Sequence, residues 1–367
     1  MNIVCVSPSQ VPSDTANSIQ ALKVAQSFLQ LGHSVTLIVP GKPPTAPVNL
    51  AEHYGLTETP TVEWIEGRRR LFPWKAALRA RRLGADLLYC WPAQAALLGT
   101  LLGLPSLLEV HDLPRGRFGP LWYWLFLTLP GRKRLLPITD ALRRLLESRY
   151  GAMRGGDTVI APDGVDVERY AALPDATTAR HLLGLPQAPT VLCTGHLYEG
   201  RGADLFLALA EAFPAASFVW VGGRPSDVET WKERAAHLPN VTFTGFVPNA
   251  RIPLYQAAGD ILLMPYGAQV ATSSGGNTAE VCSPMKMFEY MAAGRAILTS
   301  DLPVLREVLD ETMAIFCPPG DREAWKAALG SLLSDETRRQ ALGQRAREAV
   351  QAYSWLERGR RVLNGLE

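Results

Sequence analysis

The sequence predicts an α/β protein made of two successive Rossmann-like domains with parallel sheets. Three observations carry this. Short apolar runs alternate with segments of helical period, the pattern of βαβ units. The alternation pauses in a stretch rich in Pro, Asp and Gly, between Pro162 and Pro186, and then begins again. The chain of 367 residues is also longer than one ordinary core.

In the first half, the runs 3–6, 35–39, 86–89, 107–110, 135–138 and 159–160 read as buried strands. Between the first two, residues 17–31 read as a helix. Ile19, Leu22, Ala25 and Phe28 recur at helical spacing, and Gly32 ends the run. In the second half the strands are expected at 190–193, 217–221, 241–243, 261–264, 296–298 and 314–316. The tail from Asp335 onward reads as helical and charged, and no internal repeat or low-complexity tract is visible.

The composition is that of an ordinary globular chain, 47% hydrophobic and 20% charged. A net charge of +2 argues against a dedicated nucleic-acid binder. The five cysteines (Cys5, Cys90, Cys193, Cys282 and Cys317) form no CxxC pair and are odd in number. They are expected to be free thiols in a reducing, cytoplasmic setting. No signal peptide is visible, and no run reaches the roughly 18 apolar residues of a spanning helix.

Ligands of such sheets bind outside the carboxyl ends of the strands, so residues following strands matter most. The segment Ser283-Pro284-Met285-Lys286-Met287, leading to Glu289 and Gly294, follows a polar loop (271–280) and reads as a loop entering a helix. Pro284 suits a first helical turn. The amides of such a turn seat a phosphate or a sugar hydroxyl, and Glu289 lies where a carboxylate grips a diol. The loop 12–18, with Asn17, opens the first helix and lacks the G-x-G-x-x-G fingerprint. It is either a cap formed by Ser13, Asp14 or Ser18 or a ligand loop. His111 stands at the carboxyl end of the run 107–110. Gly195 to Gly202 is a glycine-rich loop holding His196 and Arg201. Either its backbone meets a ligand, with Arg201 on a diphosphate, or it is a plain surface connection. Arg224, after Gly222-Gly223, either flanks a base or ribose or sits in a turn. Phe246 either neighbours a base or packs in the core. No Asp-x-Asp or HExxH spacing marks a metal site.

These pieces together resemble the GT-B glycosyltransferases of family 4, which are retaining and use nucleotide sugars. The resemblance spans nearly the whole chain: Leu-Gly-His33, Glu109-Val-His-Asp112, Pro137-Ile-Thr139, Pro162-Asp-Gly-Val-Asp166, Gly195 to Gly202, Thr244-Gly-Phe246 and Ser283 to Gly294. It implies two Rossmann-like domains facing across a cleft: an acceptor domain at 1–163, onto which a helix within 350–367 packs back, and a donor domain at 164–349. It also implies roles. Glu289 matches the second glutamate of the E-x7-E motif, which holds the donor ribose. Arg201 matches the basic residue on the diphosphate, and His111 the histidine near the reacting sugar. The amides from Ser283 to Met287 match the turn at the donor sugar and phosphates. The donor is a nucleotide sugar, UDP-linked by family frequency with GDP as the alternative, and no cofactor or metal is required. The acceptor is a hydroxyl of a glycan, glycolipid or small molecule.

The chain departs from the family at three places. Val281 occupies the first glutamate position, with Glu280 one residue early. His196 replaces an arginine, so the diphosphate charge rests on Arg201, with Lys286 either joining it or facing solvent. Asp163 replaces the usual Asn, a minor change in a turn. Other readings are a nucleotide-sugar binding protein without catalysis and a GT-B-shaped sugar-nucleotide epimerase.

Segments 67–83 and 114–134 mix Arg68, Arg69, Arg70, Lys75, Arg79, Arg81, Arg82, Arg115, Arg117 and Arg132-Lys133-Arg134 with Leu71, Phe72, Trp74 and the run Leu121 to Leu127. Such a mixture either seats a protein peripherally on an anionic membrane or is a solvated face beside a buried aromatic helix.

Overall fold

A computed structural model describes residues 1–46, 48–270 and 279–366. The sequence expectation for the loop 271–280 falls mostly outside them. The chain folds as two compact units: Met1–Asp163 with Trp355–Glu367, and Gly164–Ser354.

The first unit holds β1 (Asn2–Val6), β2 (Ser34–Pro40), β3 (Thr61–Ile65), β4 (Leu87–Cys90), β5 (Ser106–Val110), β6 (Lys133–Pro137) and β7 (Asp157–Thr158). They form one sheet of order β3-β2-β1-β4-β5-β6-β7, and every pairing is parallel. The central strands β4 and β5 are buried at every position, as helices on both faces of a parallel sheet require. The order reverses between β1 and β4, which places the ligand-competent crevice at the ends of the central strands.

Two strands differ from expectation. β3 was not foreseen, because Thr-Val-Glu-Trp-Ile is a half-exposed edge strand and not an apolar run. Its Glu63 pairs with Arg79 at 2.7 Å and Trp64 Nε1 donates to the Val11 carbonyl at 2.9 Å. β7 lies at 157–158 and not at 159–160, although the Val159 amide still donates to Leu135 at 2.9 Å.

The first helix runs Ala16–Gln30, and Gly32 closes it at φ 83°. Its N-cap is Thr15, which makes no side-chain cap. The expected caps do not form: Ser18 Oγ instead donates back to the carbonyls of Thr15 (2.8 Å) and Ser13 (2.9 Å). The helix Trp355–Leu363 packs on this one through Gly359, where an added Cβ would stand 3.0 Å from Leu31 Cδ1 and Ser27 Oγ.

The second unit holds β8 (Thr190–Thr194), β9 (Ser217–Val221), β10 (Val241–Phe243), β11 (Ile261–Met264), β12 (Ala296–Ser300) and β13 (Ala314–Cys317), in the order β10-β9-β8-β11-β12-β13. All pair in parallel. The order reverses between β8 and β11, and the candidate residues of this unit gather around their ends. The five cysteines are free, and all but Cys282 are buried.

Candidate functional site

In the second unit, β8 delivers Thr194 and then Gly195 at φ 122°. The Gly195 carbonyl accepts from Trp220 Nε1 at 2.9 Å, and its amide donates to Val221 at 2.8 Å. Gly222, after β9, lies so close that an added Cβ would come within 2.8 Å of the Gly195 carbonyl oxygen. The two glycine turns therefore pack backbone on backbone.

Beyond Gly195 the loop carries a stacked ladder. His196 lies on Tyr198, with ring centroids 4.9 Å apart and planes 14° from parallel, and the Arg224 guanidinium sits 5.2 Å over Tyr198. Arg201 donates to the Tyr266 hydroxyl at 3.1 Å and also lies 5.2 Å over that ring. Lys286 Nζ stands 5.2 Å from the same ring and 3.9 Å from Cys193 Sγ. One buried tyrosine thus collects two cations, one from the Gly195 loop and one from the start of the helix Met285–Ala293. Two glycines of the loop have a packing task. An added Cβ at Gly200 or Gly202 would meet the Gln269 or the Pro265 carbonyl oxygen at 1.9 Å, so both are there to pack this loop against segment 265–270.

The helix Met285–Ala293 starts one residue later than expected. Pro284 is its N-cap and not a first-turn residue, and with no N-cap side-chain oxygen to offer it makes no side-chain cap. Ser283 before it is buried, and the first-turn amides of Met285 and Lys286 have no intrahelical acceptor by geometry. Glu289 follows one turn on and is half-buried. Gln256 Nε2 donates to its Oε2 at 3.1 Å, and the Tyr170 hydroxyl donates to Gln256 Oε1 at 2.8 Å. Burial first, and then the Glu289 charge, push the Tyr170 phenol well above its ordinary range, so it remains a donor. Val281 is buried beside buried Ala279, whereas Glu280 between them is exposed. Phe246 is 48% exposed, and not a core residue. Arg224 is exposed at the N-cap of Pro225–Arg234.

In the first unit, Asn17 is exposed in the first turn of its helix, and His111 follows β5. His111 Nε2 lies 2.6 Å from Glu109 Oε1, and Glu109 has no exposed side-chain surface. Gln20 Nε2 donates to the same Glu109 oxygen, and the Tyr89 hydroxyl donates to the other. Arg358 pairs with Glu109 Oε2 at 2.8 Å. Burial pushes the Glu109 carboxyl up, but Arg358 and the His111 bond outweigh it and hold the group at about 2. Burial lowers the His111 imidazole, yet its bond to Glu109 and the nearby carboxylates raise it overall. Asp163 is buried beside this group. Desolvation pushes its carboxyl up to about 6, against the pull of His111 and Arg358. Asp163 is thus a member of the His111 cluster, and not a minor turn substitution.

Sequence reasoning did not find Gln256, Tyr170, Tyr266, Tyr198, Gln20, Tyr89 or Arg358. All but Tyr198, which lies in the Gly195 loop itself, reach their clusters from distant elements, and no local spacing marks them. Among the described residues no group of three His, Cys, Asp or Glu side chains gathers as a metal site would.

The basic and aromatic segments of the first unit divide in two. Lys133 and Arg134 are buried on β6 and do not belong to a surface patch. Lys133 Nζ donates to the carbonyls of Phe126 (2.7 Å), Leu127 (2.8 Å) and Leu129, holding the end of the helix Gly119–Thr128. Arg134 pairs with Asp157 at 2.6 Å and donates to the Val362 carbonyl at 2.7 Å. Arg79 is tied to Glu63 and Arg115 to Asp112. Arg68, Arg69, Arg70, Arg81, Arg82, Arg117 and Arg132 are exposed, as are Leu71, Leu78, Phe118, Leu121 and Trp124. Trp74 meets Trp122 edge-on at 5.4 Å, which joins the two helices that carry these residues. No helix among the described residues is long and apolar enough to cross a membrane.

Comparison with known proteins agrees with this architecture. Residues 18–169 match the family model Glycosyltransferase Family 4, and residues 188–335 match Glycosyl transferases group 1. The chain is 32% identical over 209 residues to a phosphatidyl-myo-inositol mannosyltransferase of Mycolicibacterium smegmatis, an alignment covering 55% of this chain and 49% of that protein. It spans about half the length of the curated relatives it matches. Among solved structures, Anabaena HepE in complex with UDP-glucose superposes with a TM-score of 0.76 at 15% identity, covering 100% of this chain and 99% of that one. The sucrose-phosphate synthase of Thermosynechococcus elongatus superposes with a TM-score of 0.74 at 18% identity, covering 98% and 96%. The fold is GT-B, and with a family model on each of its two units the chain belongs to the family 4, group 1 glycosyltransferases.

Proposed function

We propose that this protein is a retaining glycosyltransferase that moves a sugar from a nucleoside-diphosphate sugar to a hydroxyl acceptor. The observation that carries this reading is the seat around Tyr266, where Arg201 and Lys286 converge beside the start of the helix that bears Glu289. As the bond from the sugar to the diphosphate oxygen breaks, negative charge grows on the phosphates. Two fixed cations and helix-start amides stabilise that charge most in the transition state. Glu289, braced by Gln256, is oriented to accept from the ribose hydroxyls. His111, held by Glu109, acts at the reacting sugar. In a front-face substitution the acceptor oxygen bonds to the anomeric carbon on the face the diphosphate leaves, and the acceptor proton passes to the departing phosphate oxygen. The side-chain cations take the charge-stabilising role in this reading, so catalysis is metal-independent and persists in a chelator.

A UDP-sugar is the preferred donor, a reading that draws on the family and on the UDP-glucose complex of HepE. In this reading the second unit binds the donor, and the first binds the acceptor and makes peripheral contact with an anionic membrane through Arg68–Arg70, Arg132 and the exposed apolar side chains. A panel of UDP- and GDP-sugars tested for thermal stabilisation identifies the donor, because a ligand of the folded state raises its stability by mass action. Transfer or hydrolysis of that donor by Glu289→Ala, Arg201→Ala and His111→Ala then tests the roles. Unchanged turnover in all three overturns the site. A donor that binds without any turnover favours a binding protein, the outcome that buried Val281 in place of a carboxylate would explain.

A further inference from the structure

The helix Trp355–Leu363 carries three arginines, of which Arg360 and Arg361 are exposed and Arg358 is only 2% exposed. A buried guanidinium needs acceptors for its fork of donors, and Arg358 has four. It pairs with Glu109 at 2.8 Å, donates to the Pro162 carbonyl at 2.8 Å, to the Tyr89 hydroxyl at 3.1 Å and to the Ala161 carbonyl at 3.3 Å. The first and third contacts fix the carboxylate that holds His111. The other two fix the segment that ends in Asp163.

The charge count gives this arrangement a consequence. The charged and titratable groups around His111 are Glu109 on β5, Tyr89 on β4, Arg358 on the last helix and Asp163 after β7. Cys5 on β1 lies near Glu109, and burial keeps it a thiol; the adjacent Asp112 is paired with Arg115. Two carboxylates against one guanidinium leave one negative charge, which a proton on His111 neutralises. With Nε2–H committed to Glu109, His111 then offers Nδ1–H as a donor.

We propose that Arg358 is a positioning residue: through Glu109 it holds His111 as an oriented hydrogen-bond donor for an oxygen of the substrate, not as a general base. This rests on the reading of His111 as a residue at the reacting sugar, and it adds to that reading the protonation state, which Glu109 sets directly and Arg358 only by fixing Glu109.

The test uses the full chain and the double variant Glu109→Gln/Arg358→Met. That variant removes the Glu109–Arg358 pair as a unit, so neither partner is left as a lone buried charge, as Arg358→Met alone would leave Glu109. NMR titration of the His111 imidazole, assigned by its loss in His111→Gln, is the readout that needs no substrate. We expect His111 to titrate at least about one pH unit lower in the double variant than in the natural protein. Arg358→Lys, which keeps the charge, should retain the higher value. With UDP-glucose and GDP-mannose as probes, kcat of the double variant should fall on the order of 100-fold with donor KM little changed. A purely structural pair would instead leave both the titration and kcat as they are, and that result overturns the proposal. If His111→Ala keeps full turnover, the assignment of His111 to the reaction fails, while the titration still decides whether the Glu109–Arg358 pair sets its state.

Discussion

The Tyr290 hydroxyl accepts a hydrogen bond from the Thr194 amide at 2.7 Å, with Thr194 Oγ1 at 3.2 Å. This contact fastens the end of β8, from which the Gly195 loop departs, to the helix that presents Lys286 and Glu289. The two halves of the proposed donor seat are therefore registered by one buried phenol. Burial pushes Tyr290 well above its usual titration range, so it stays uncharged at any working pH.

Tyr290→Phe keeps the ring and removes the acceptor, leaving the buried Thr194 amide unsatisfied. Stability should fall by about 1–3 kcal/mol in denaturant unfolding. Because the loop and the helix then lose their common anchor, donor KM should rise in the same variant. A Phe variant with natural stability and natural KM would show that the anchor is dispensable.

Gly202→Ala should be among the more damaging single-methyl additions in the second unit. Its φ of 83° disfavours any side chain, and the added Cβ would meet the Pro265 carbonyl oxygen at 1.9 Å. Strain and overpacking together predict a loss of about 2–5 kcal/mol, measured by urea unfolding. Gly32→Ala is a control, with a similar φ and nothing near the added carbon, and it should cost less.

These cases show what was legible beforehand. β1 and β8 could be read from their apolar runs, and the ends of such strands locate ligands, so Gly195, Arg201 and Glu289 were within reach of the sequence. The partners that hold them were not. Gln256 and Tyr170 are ordinary residues on other elements, and nothing in their neighbourhoods indicates that Gln256 braces the Glu289 carboxylate with Tyr170 behind it. Lys133 and Arg134 misled in the opposite direction. In the sequence they extend a surface charge run, but β6 carries them inside, where carbonyl and carboxylate acceptors compensate them. Asp163 looked like a turn residue because its neighbours in space, His111 and Gln20, come from two other elements.

The Glu109–Asp163 cluster predicts a stability profile with two opposing slopes. Glu109 is held at about 2, below its ordinary 4.5, so the stability it contributes is full above pH 4.5 and is lost as pH falls toward 2. Asp163 is raised from 3.8 to about 6, so it penalises the folded state above pH 6 and the penalty fades as pH falls toward 3.8. His111, raised by its carboxylate partner, adds stability at low pH that is lost as pH rises through its folded value. Unfolding free energy should accordingly decline from pH 5 to pH 7. Asp163→Asn, nearly the same shape without the charge, should flatten that decline and stabilise the protein at pH 7. If denaturation curves of the Asn variant keep the natural slope between pH 4 and pH 6, Asp163 is not the group responsible.

The exposed arginines and apolar side chains of the first unit yield a prediction that separates a membrane surface from a solvated face. If Arg68–Arg70 and Arg132 meet anionic lipid, each contributes about 1 kcal/mol near the surface, and the contribution weakens with salt. Cosedimentation with phosphatidylcholine vesicles should then appear only when phosphatidylglycerol is included, and should decline at high ionic strength. Replacing these four arginines with Gln should abolish it. Leu121→Ser with Trp124→Ser should weaken binding to the same vesicles without altering the charge, because both side chains are exposed and their removal leaves no cavity. Lys133→Ala serves as a contrast. Its ammonium satisfies carbonyls of the helix Gly119–Thr128, so its loss should lower thermal stability and leave lipid binding of the folded protein unchanged. Equal binding to neutral and anionic vesicles, or none to either, would leave these arginines as a solvated face.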